Sequence, residues 1–396
     1  MQTEEELAKE HPELEDVIEM PRCLVIRKMK ADKSLIPSNK GDKLIIQVLV
    51  QRATFISSGS DEQRALKFVL AYSSINVICC TLAMAEQHLS TFQSGVKTVL
   101  LDEAGQVPTN QLLAIISRLS NVQKLLITGD PKQLPAFTVG IPDEAVKLGH
   151  SSILQTIDRR GAAPTVFLRV NYRSHPFLVH CAAPIYDGQF SPGLNALQRT
   201  MLTKSTFPLP VSDVPLMAIH SDVHDCRTRS RSRENSAHRE IALALTKLLD
   251  RHVPDALIQV LCYYHGEREE LRRILPMDVM VSTIDAFQGR EADLIILVTT
   301  RSPAEDPQST PLHSRLNQFI LDDRRATVAL TRARHGLFII GDFDFLVRSS
   351  SWHSFLTAMT QKTPIFRSDI VPRLSSSPLP SASEFVAPLP INSSWL

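Results

Sequence analysis

The sequence predicts an α/β protein built on two doubly wound parallel sheets with flanking helices. Three observations predict it. Short runs ending in polar or acidic residues recur between positions 97 and 342. Each run is apolar throughout, as a strand buried on both faces of a parallel sheet should be. The stretches between them repeat apolar residues at helical spacing. A chain of 396 residues is longer than one ordinary domain needs, and the break between the sheets falls near 158–165.

The elements follow in order. Residues 1–20 read as an acidic arm, because positions 1–19 carry eight acidic residues against one lysine and Pro12 interrupts them. Residues 21–157 make the partial first domain. Its strands are KTVLL before Asp102 and KLLITG before Asp130, with NQLLAIISRL as the helix between, and CLVIRKM (23–29) and KLIIQVLV (43–50) offer further apolar segments. Residues 158–361 make the second domain, with strands LIQVLC ending at Cys262, VMVST before Ile284, LIILVTT before Arg301 and LFIIGD ending at Asp342. HREIALALTKLLDRH is its longest helix. Residues 362–396 read as a disordered tail, since from 361 onward six prolines and eight serines follow no period.

Composition bounds the function. Forty-three Lys plus Arg against 42 Asp plus Glu give a formal charge of +1, which excludes a uniformly basic coat protein and makes any polyanion site local. Six cysteines without a CxxC pair suit a reducing compartment, cytosol or nucleus. The start is acidic where a targeting peptide is apolar or Arg-rich, and no apolar run approaches the ~18 residues of a membrane span. The expectation is a soluble, untargeted chain with no membrane contact.

Chemistry concentrates at strand ends. KTVLLDEAGQ (97–106) delivers Asp102 and Glu103 at the carboxyl end of a strand, where open α/β sheets bind ligands. Adjacent carboxylates suit a magnesium ion and an activated water; the plainer reading is an acidic pair that caps the following helix. GDPKQLP (129–135) places Asp130 and Gln133 at the end of the next strand, where a side-chain amide can sense a terminal phosphate. FLRVNYRSHP (167–176), STIDAFQGREADLIIL (282–297) and RRATVALTRARHGLFIIGD (324–342) complete five blocks in fixed order.

These blocks resemble the Upf/senataxin branch of superfamily 1 helicases, ATP-driven nucleic-acid translocases with two RecA-like domains of the P-loop NTPase type. The resemblance covers roughly 76–345: INVICCTL is similar to motif Ib, LLDEAGQ to II, GDPKQLP to III, LRVNYRSHP to IV, STIDAFQGRE to V and VALTRARHG to VI. It implies ATP and magnesium as cofactors and single-stranded RNA or DNA, RNA first, as partner. It implies that Asp102 binds magnesium, Glu103 is the general base, and Gln133, Arg173 and Arg332 read the γ-phosphate. Arginine suits that task because its planar fork stays charged and pairs with phosphate oxygens. By the same resemblance Tyr172 stacks on adenine, Gly289 and Glu291 contact the nucleotide, and Thr81, Ser282 and Thr283 contact the strand. Ordinary roles stand beside these: core ring, surface ion pairs, first-turn acid and turn caps.

The sequence departs from the family at one decisive place. A P-loop, GxxxxGK[ST], cradles phosphates upstream of the acidic strand, whereas the only glycines before Asp102 are Gly41, Gly59 and Gly95, and none begins such a motif. Motif Ia is not matched either, and since the P-loop strand is central in a RecA-like sheet, the resemblance implies that the first sheet is incomplete. In the second domain Glu267 stands where the family usually has glutamine, and Gln318 where a glycine usually precedes Phe319. Three readings result: a helicase or translocase lineage; a P-loop-less relative that binds nucleic acid or protein without turning over ATP; and a chain whose first domain is completed by a partner or a further amino-terminal segment. Outside the blocks, RTRSRSR (227–233) reads as a solvated loop, with phosphate contact or phosphorylation at Ser230 or Ser232 as alternatives. His220, His224 and Cys226 lack a fourth zinc ligand at a matching spacing, and His175 and His335 read as packing or turn residues.

Overall fold

The computed structural model describes residues 77–92, 95–138, 140–161, 163–193, 195–303, 318–374 and 386–387. The acidic arm, the segments at 23–29 and 43–50, and most of the proposed tail lie outside these residues. The chain divides into two compact units, Met1–Thr128 with Thr138–Ile153, and Gly129–Phe137 with Leu154–Leu396.

In the first unit α1 (Leu82–Phe92) precedes β1 (Thr98–Leu101), and α2 (Thr109–Ile116) leads to β2 (Lys124–Ile127). The two strands pair in parallel from Thr98↔Lys124 to Leu101↔Ile127, which requires a crossover such as α2 provides. Leu89, Ile115 and Leu119 form a buried cluster. Leu100 and its register partner Leu126 are nevertheless 69% and 55% exposed. Burial on both faces, expected from the apolar runs, is therefore not met here: among the described residues this sheet has two strands, and Leu100, Leu125 and Leu126 remain open to solvent.

α3 (Ile153–Arg160) begins at the boundary between the units. The second unit continues with β3 (Val170–Asn171), α4 (Pro176–Ala182) and β4 (Ser191–Pro192), then β5 (Leu216–His220) and the strand pair β6 (Cys226–Arg227) and β7 (Arg233–Glu234). After α5 (Ser236–His252) come β8 (Ile258–Cys262), α6 (His265–Ile274), β9 (Met280–Thr283) and β10 (Ala292–Val298). The last elements are α7 (Asp323–Leu330), β11 (Ala333–Gly341), α8 (Ser350–Thr360), β12 (Ile365–Arg367) and α9 (Ile370–Arg373). Six strands form one parallel sheet in the order β12-β5-β11-β10-β8-β9.

Alternation along these strands builds two cores. Ala218, Ile295, Leu297, Leu337 and Ile339 face a cluster with Trp352 and Phe355 of α8. Their sequence neighbours Ile219, Leu294, Ile296, Phe338 and Ile340 face the other, with Ile241, Leu245 and Leu249 of α5. Helices on both sides explain why the strand sequences are apolar throughout, and each such side chain contributes about 1.5–3 kcal/mol when fully buried. The helices start where capping side chains sit: Asn235 accepts from the His238 amide, Asp322 from Arg324 and Ser349 from Trp352.

Two strands of the six-stranded sheet escaped the sequence reading. LMAIH (216–220) becomes β5, and residues 365–367, assigned by composition to the tail, become the edge strand β12 beside it. The tail assignment is corrected at 365–374: Ile365, Phe366, Ile370, Val371 and Leu374 are buried in the sheet's two cores. Proline and serine counts missed them because a three-residue edge strand has too few positions to show a period.

Glu267 offers a test of the second unit's interior. Its side chain is fully buried, Oε2 accepts from the Asn235 amide at 2.6 Å with Arg239 at 3.6 Å, and Oε1 has no partner. Burial raises its pKa to about 7, against the lowering pull of the Asn235 amide and Arg239. Because the folded pKa lies above the unfolded one, the stability linked to this proton is full below about 4.5 and is lost as pH rises through about 7. The loss is on the order of 3 kcal/mol when ionisation is complete. Glu267→Gln keeps an acceptor for Asn235 without the charge. It is expected to melt close to wild type at pH 5 and roughly 5 °C or more above it at pH 8; a difference independent of pH would refute this account.

Candidate functional site

In the first unit, β1 carries Asp102 and Glu103 at its carboxyl end. Leu101 accepts from the Thr128 amide at 2.8 Å and Thr128 accepts from the Ala104 amide at 2.9 Å, so the ends of β1 and β2 are stitched together. Asp102 Oδ1 accepts from the Thr128 hydroxyl at 2.8 Å and from the Glu103 amide at 2.9 Å, which fixes the carboxylate and leaves Oδ2 outside both bonds. Glu103 has φ of 52°, a left-handed conformation that a side-chain-bearing residue rarely adopts. A fixed, exposed carboxylate with an open oxygen suits a hard divalent cation. Thr81 accepts from the Met84 amide at 3.2 Å, so its hydroxyl caps α1.

In the second unit the motif-III segment docks through a chain of hydrogen bonds. Asp130 Oδ2 accepts from the Tyr186 hydroxyl at 2.6 Å and from Gln133 Nε2 at 2.8 Å. Gln133 Oε1 in turn accepts from Arg332 Nη2 at 3.0 Å, and Arg332 also donates to Val328 O and Thr331 Oγ1. Lys132 Nζ donates to Ile185 O at 2.8 Å and to Asp187 at 2.7 Å. Burial raises the Tyr186 pKa, reinforced by the Asp130 charge, so Tyr186 stays a neutral donor. The amide orientation of Gln133 is thereby set from both sides.

Arg173 lies in the same unit. Its Nε donates to Glu291 Oε2 at 2.6 Å and its Nη1 to Thr331 O at 3.2 Å, while Arg334 approaches Glu291 Oε1 at 3.6 Å. Burial pulls the Glu291 pKa up, but the Arg173 bond and the Arg173 and Arg334 charges outweigh it and hold the carboxyl below its usual range. Thr331 thus serves both arginines, by its carbonyl and its hydroxyl. Tyr172 is 64% exposed, and its ring lies against Gly193, where a Cβ would come within 2.6 Å of Tyr172 Cε1. Gly289 has φ of +75°, which explains the glycine in that turn. Ser282 and Thr283 end β9, and the Thr283 hydroxyl accepts from the Ala286 amide at 3.4 Å.

The structure therefore joins Gln133 with Arg332, and Arg173 with Glu291; Asp102 and Glu103 sit together in the first unit. Sequence reasoning missed Thr128, Tyr186, Lys132 and Thr331, because nothing in their local sequence marks a partner dozens of residues away. The histidines behave as packing groups. His175 Nδ1 accepts from the Phe177 amide at the start of α4, and burial, with His335 nearby, lowers its pKa to about 4. His335 is likewise lowered by burial and accepts from the Met201 amide. His224 and Cys226 are exposed, whereas His220, Asp342 and Asp344 place one ligand-type atom each within 4.8 Å. Nδ1 of His220 accepts from the Phe343 amide, so a neutral ring carries its proton on Nε2, 3.9 Å from Asp344. That arrangement suits a hydrogen bond better than a metal.

The residues present fit only part of a nucleotide site. Asp102 could hold a divalent cation, but the sequence contains no GxxxxGK[ST] run, so the donor set for a triphosphate is incomplete. Among the described residues no helix is long and apolar enough to cross a membrane.

Comparison with known proteins places the chain. An AAA-domain family model matches residues 150–344, and a second AAA-domain model matches residues 4–140. The ATP-dependent helicase NAM7 of Saccharomyces cerevisiae is 29% identical over 327 residues, 77% of this chain and 32% of that protein. The Regulator of nonsense transcripts 1 homolog of Arabidopsis thaliana is 31% identical over 301 residues, 72% of this chain and 22% of that protein. The probable helicase senataxin of Mus musculus is 27% identical over 337 residues, 77% and 12% of the two chains. The chain spans from about an eighth to a third of the length of these curated relatives.

Proposed function

The chain belongs to the Upf1- and senataxin-type helicases of superfamily 1, and we propose from that membership that it grips single-stranded nucleic acid, RNA in the first place, without turning over ATP by itself. The observation that carries this reading is that Gln133 is bonded to Arg332 and Arg173 to Glu291 while the sequence has no GxxxxGK[ST] run. In this reading Asp102 is the magnesium ligand, Glu103 the base, Gln133, Arg173 and Arg332 the γ-phosphate readers, and Tyr172 the adenine platform. Gly289 and Glu291 line the nucleotide, while Thr81, Ser282 and Thr283 touch the strand. A cradle supplied from outside these 396 residues would complete the site, and the exposed Leu100, Leu125 and Leu126 of the first sheet favour such a completion.

The test is a phosphate-release assay on the 396-residue chain with and without RNA, beside binding to a labelled oligouridylate. Release is expected to stay at background while the oligonucleotide binds with an affinity that falls as salt rises. Robust turnover abolished by Glu103→Gln or Arg332→Ala would overturn the first half, and absence of binding at low salt the second.

A further inference from the structure

The run at 227–233 is not a shapeless loop. Cys226 and Arg227 pair antiparallel with Glu234 and Arg233, and the turn between them is built by its own atoms. Thr228 exchanges backbone bonds with Ser232 and Arg231 at 3.0 Å, the Ser232 amide donates to Thr228 Oγ1 at 2.9 Å, and Arg231 takes a left-handed φ of 63°. A hairpin this short does not persist alone. Two anchors hold it. Arg233 pairs at 2.9 Å with Asp225, whose side chain is fully buried, and the Gly266 amide at the start of α6 donates to Ser232 Oγ at 2.9 Å. Backbone contact there is close: a Cβ on Gly266 would lie 2.8 Å from Thr228 Cγ2 and 3.0 Å from Ser232 Cβ.

None of these bonds uses the guanidinium groups of Arg227, Arg229 or Arg231, all three exposed. The hairpin's acids are already engaged, Asp225 by Arg233 and Arg301 and Glu234 by Arg239. Arg227 and Arg233 stand in register across the two strands, and Asp225 already offsets the charge of Arg233. The anchoring helix α6 follows β8, whose last residue Cys262 is the register partner of Thr283, so the hairpin rises at the same carboxyl edge as Ser282 and Thr283.

We infer that the 226–234 hairpin is a phosphate-binding element that holds the backbone of single-stranded nucleic acid through Arg227, Arg229 and Arg231. The inference rests on the nucleic-acid reading above and adds a site to it. The partner follows from the chemistry: three guanidinium groups without an ion pair among the described residues, on a prebuilt turn, match a run of phosphates, with Ser230 between two of them.

The experiment titrates fluorescein-labelled oligouridylate with the full chain from about 50 to 200 mM salt and compares slopes of log affinity against log salt. With single strands losing about 0.7 in slope per phosphate contact, the triple variant Arg227→Ser, Arg229→Ser, Arg231→Ser is expected to bind at least tenfold more weakly with a slope shallower by about 2. Ser230→Asp, which sets a carboxylate among the arginines, is expected to fall between; it carries the comparison alone should the triple variant not fold. The control Arg118→Ser, Arg160→Ser, Arg251→Ser removes equal charge from exposed positions elsewhere and is expected to keep the wild-type slope. Equal slopes in wild type and hairpin variants, or an equal loss in the control, overturn the inference while the nucleic-acid reading stands. A hairpin variant that keeps RNA but loses polyglutamate overturns it in favour of an acidic protein partner. No binding by wild type at 50 mM salt removes both.

Discussion

Asp225→Ala is expected to destabilise the second unit by about 3–5 kcal/mol, the typical result of breaking a buried ion pair from one side. The carboxylate is fully buried and accepts from Arg301 at 2.5 Å, Arg233 at 2.9 Å and the Ser302 amide at 3.0 Å. Arg301 itself is 4% exposed, so alanine removes the carboxylate that faces a buried guanidinium. Asp225→Asn retains an acceptor and the packing volume, and its loss should be about half as large. Urea unfolding followed by Trp352 fluorescence measures both; an alanine effect under ~1 kcal/mol would mean that water reaches Arg301 and that the site is not dry. The same substitution frees Arg233 and should loosen the hairpin, visible as new tryptic cleavage at 227–233.

Arg332→Ala is expected to cost about 2–4 kcal/mol, because hydrogen bonds to charged groups contribute ~1.5–3 kcal/mol and their buried partners are left unmade. Arg332 is 2% exposed and gives its Nε to Val328 O and its Nη2 to Gln133 Oε1 and Thr331 Oγ1. These bonds close the end of α7 and fasten the motif-III segment at once. Arg332→Lys keeps the charge but cannot divide two donors over three acceptors in that geometry, so it should recover less than half of the loss. Thermal melting reads the effect. Gln133→Ala removes the acceptor of Arg332 and the donor to Asp130 and should cost about 1–2 kcal/mol. Equal losses for Gln133→Ala and Arg332→Ala would show that the motif-III contact is the whole of what Arg332 does.

Most of the second unit was legible in the sequence. The runs that became β8, β9, β10 and β11 are apolar throughout because helices cover both faces of that sheet, and the repeat in HREIALALTKLLDRH follows from α5 lying along one of them. The edge strand β12 and its neighbour β5 were not legible, since neither carries a pattern longer than five residues. KTVLL and KLLITG formed the strands expected of them, yet their apolar faces remain exposed at Leu100 and Leu126. Periodicity reports what a residue can bury, not whether a neighbour arrives to bury it.

What the sequence determined by itself was the family, the order of the blocks and the lack of a GxxxxGK[ST] run. Each of these is written in residue type and local spacing. Only the tertiary structure decided which groups meet: Tyr186 with Asp130, Gln133 with Arg332 across 199 positions, Arg173 with Glu291 across 118, and Asp225 between two arginines. It also turned the arginine run into an anchored hairpin with three guanidinium groups unspent. The reason is physical. A hydrogen bond or ion pair depends on distances of about 3 Å, and along a folded chain those distances are set by how strands and helices pack, not by separation in sequence.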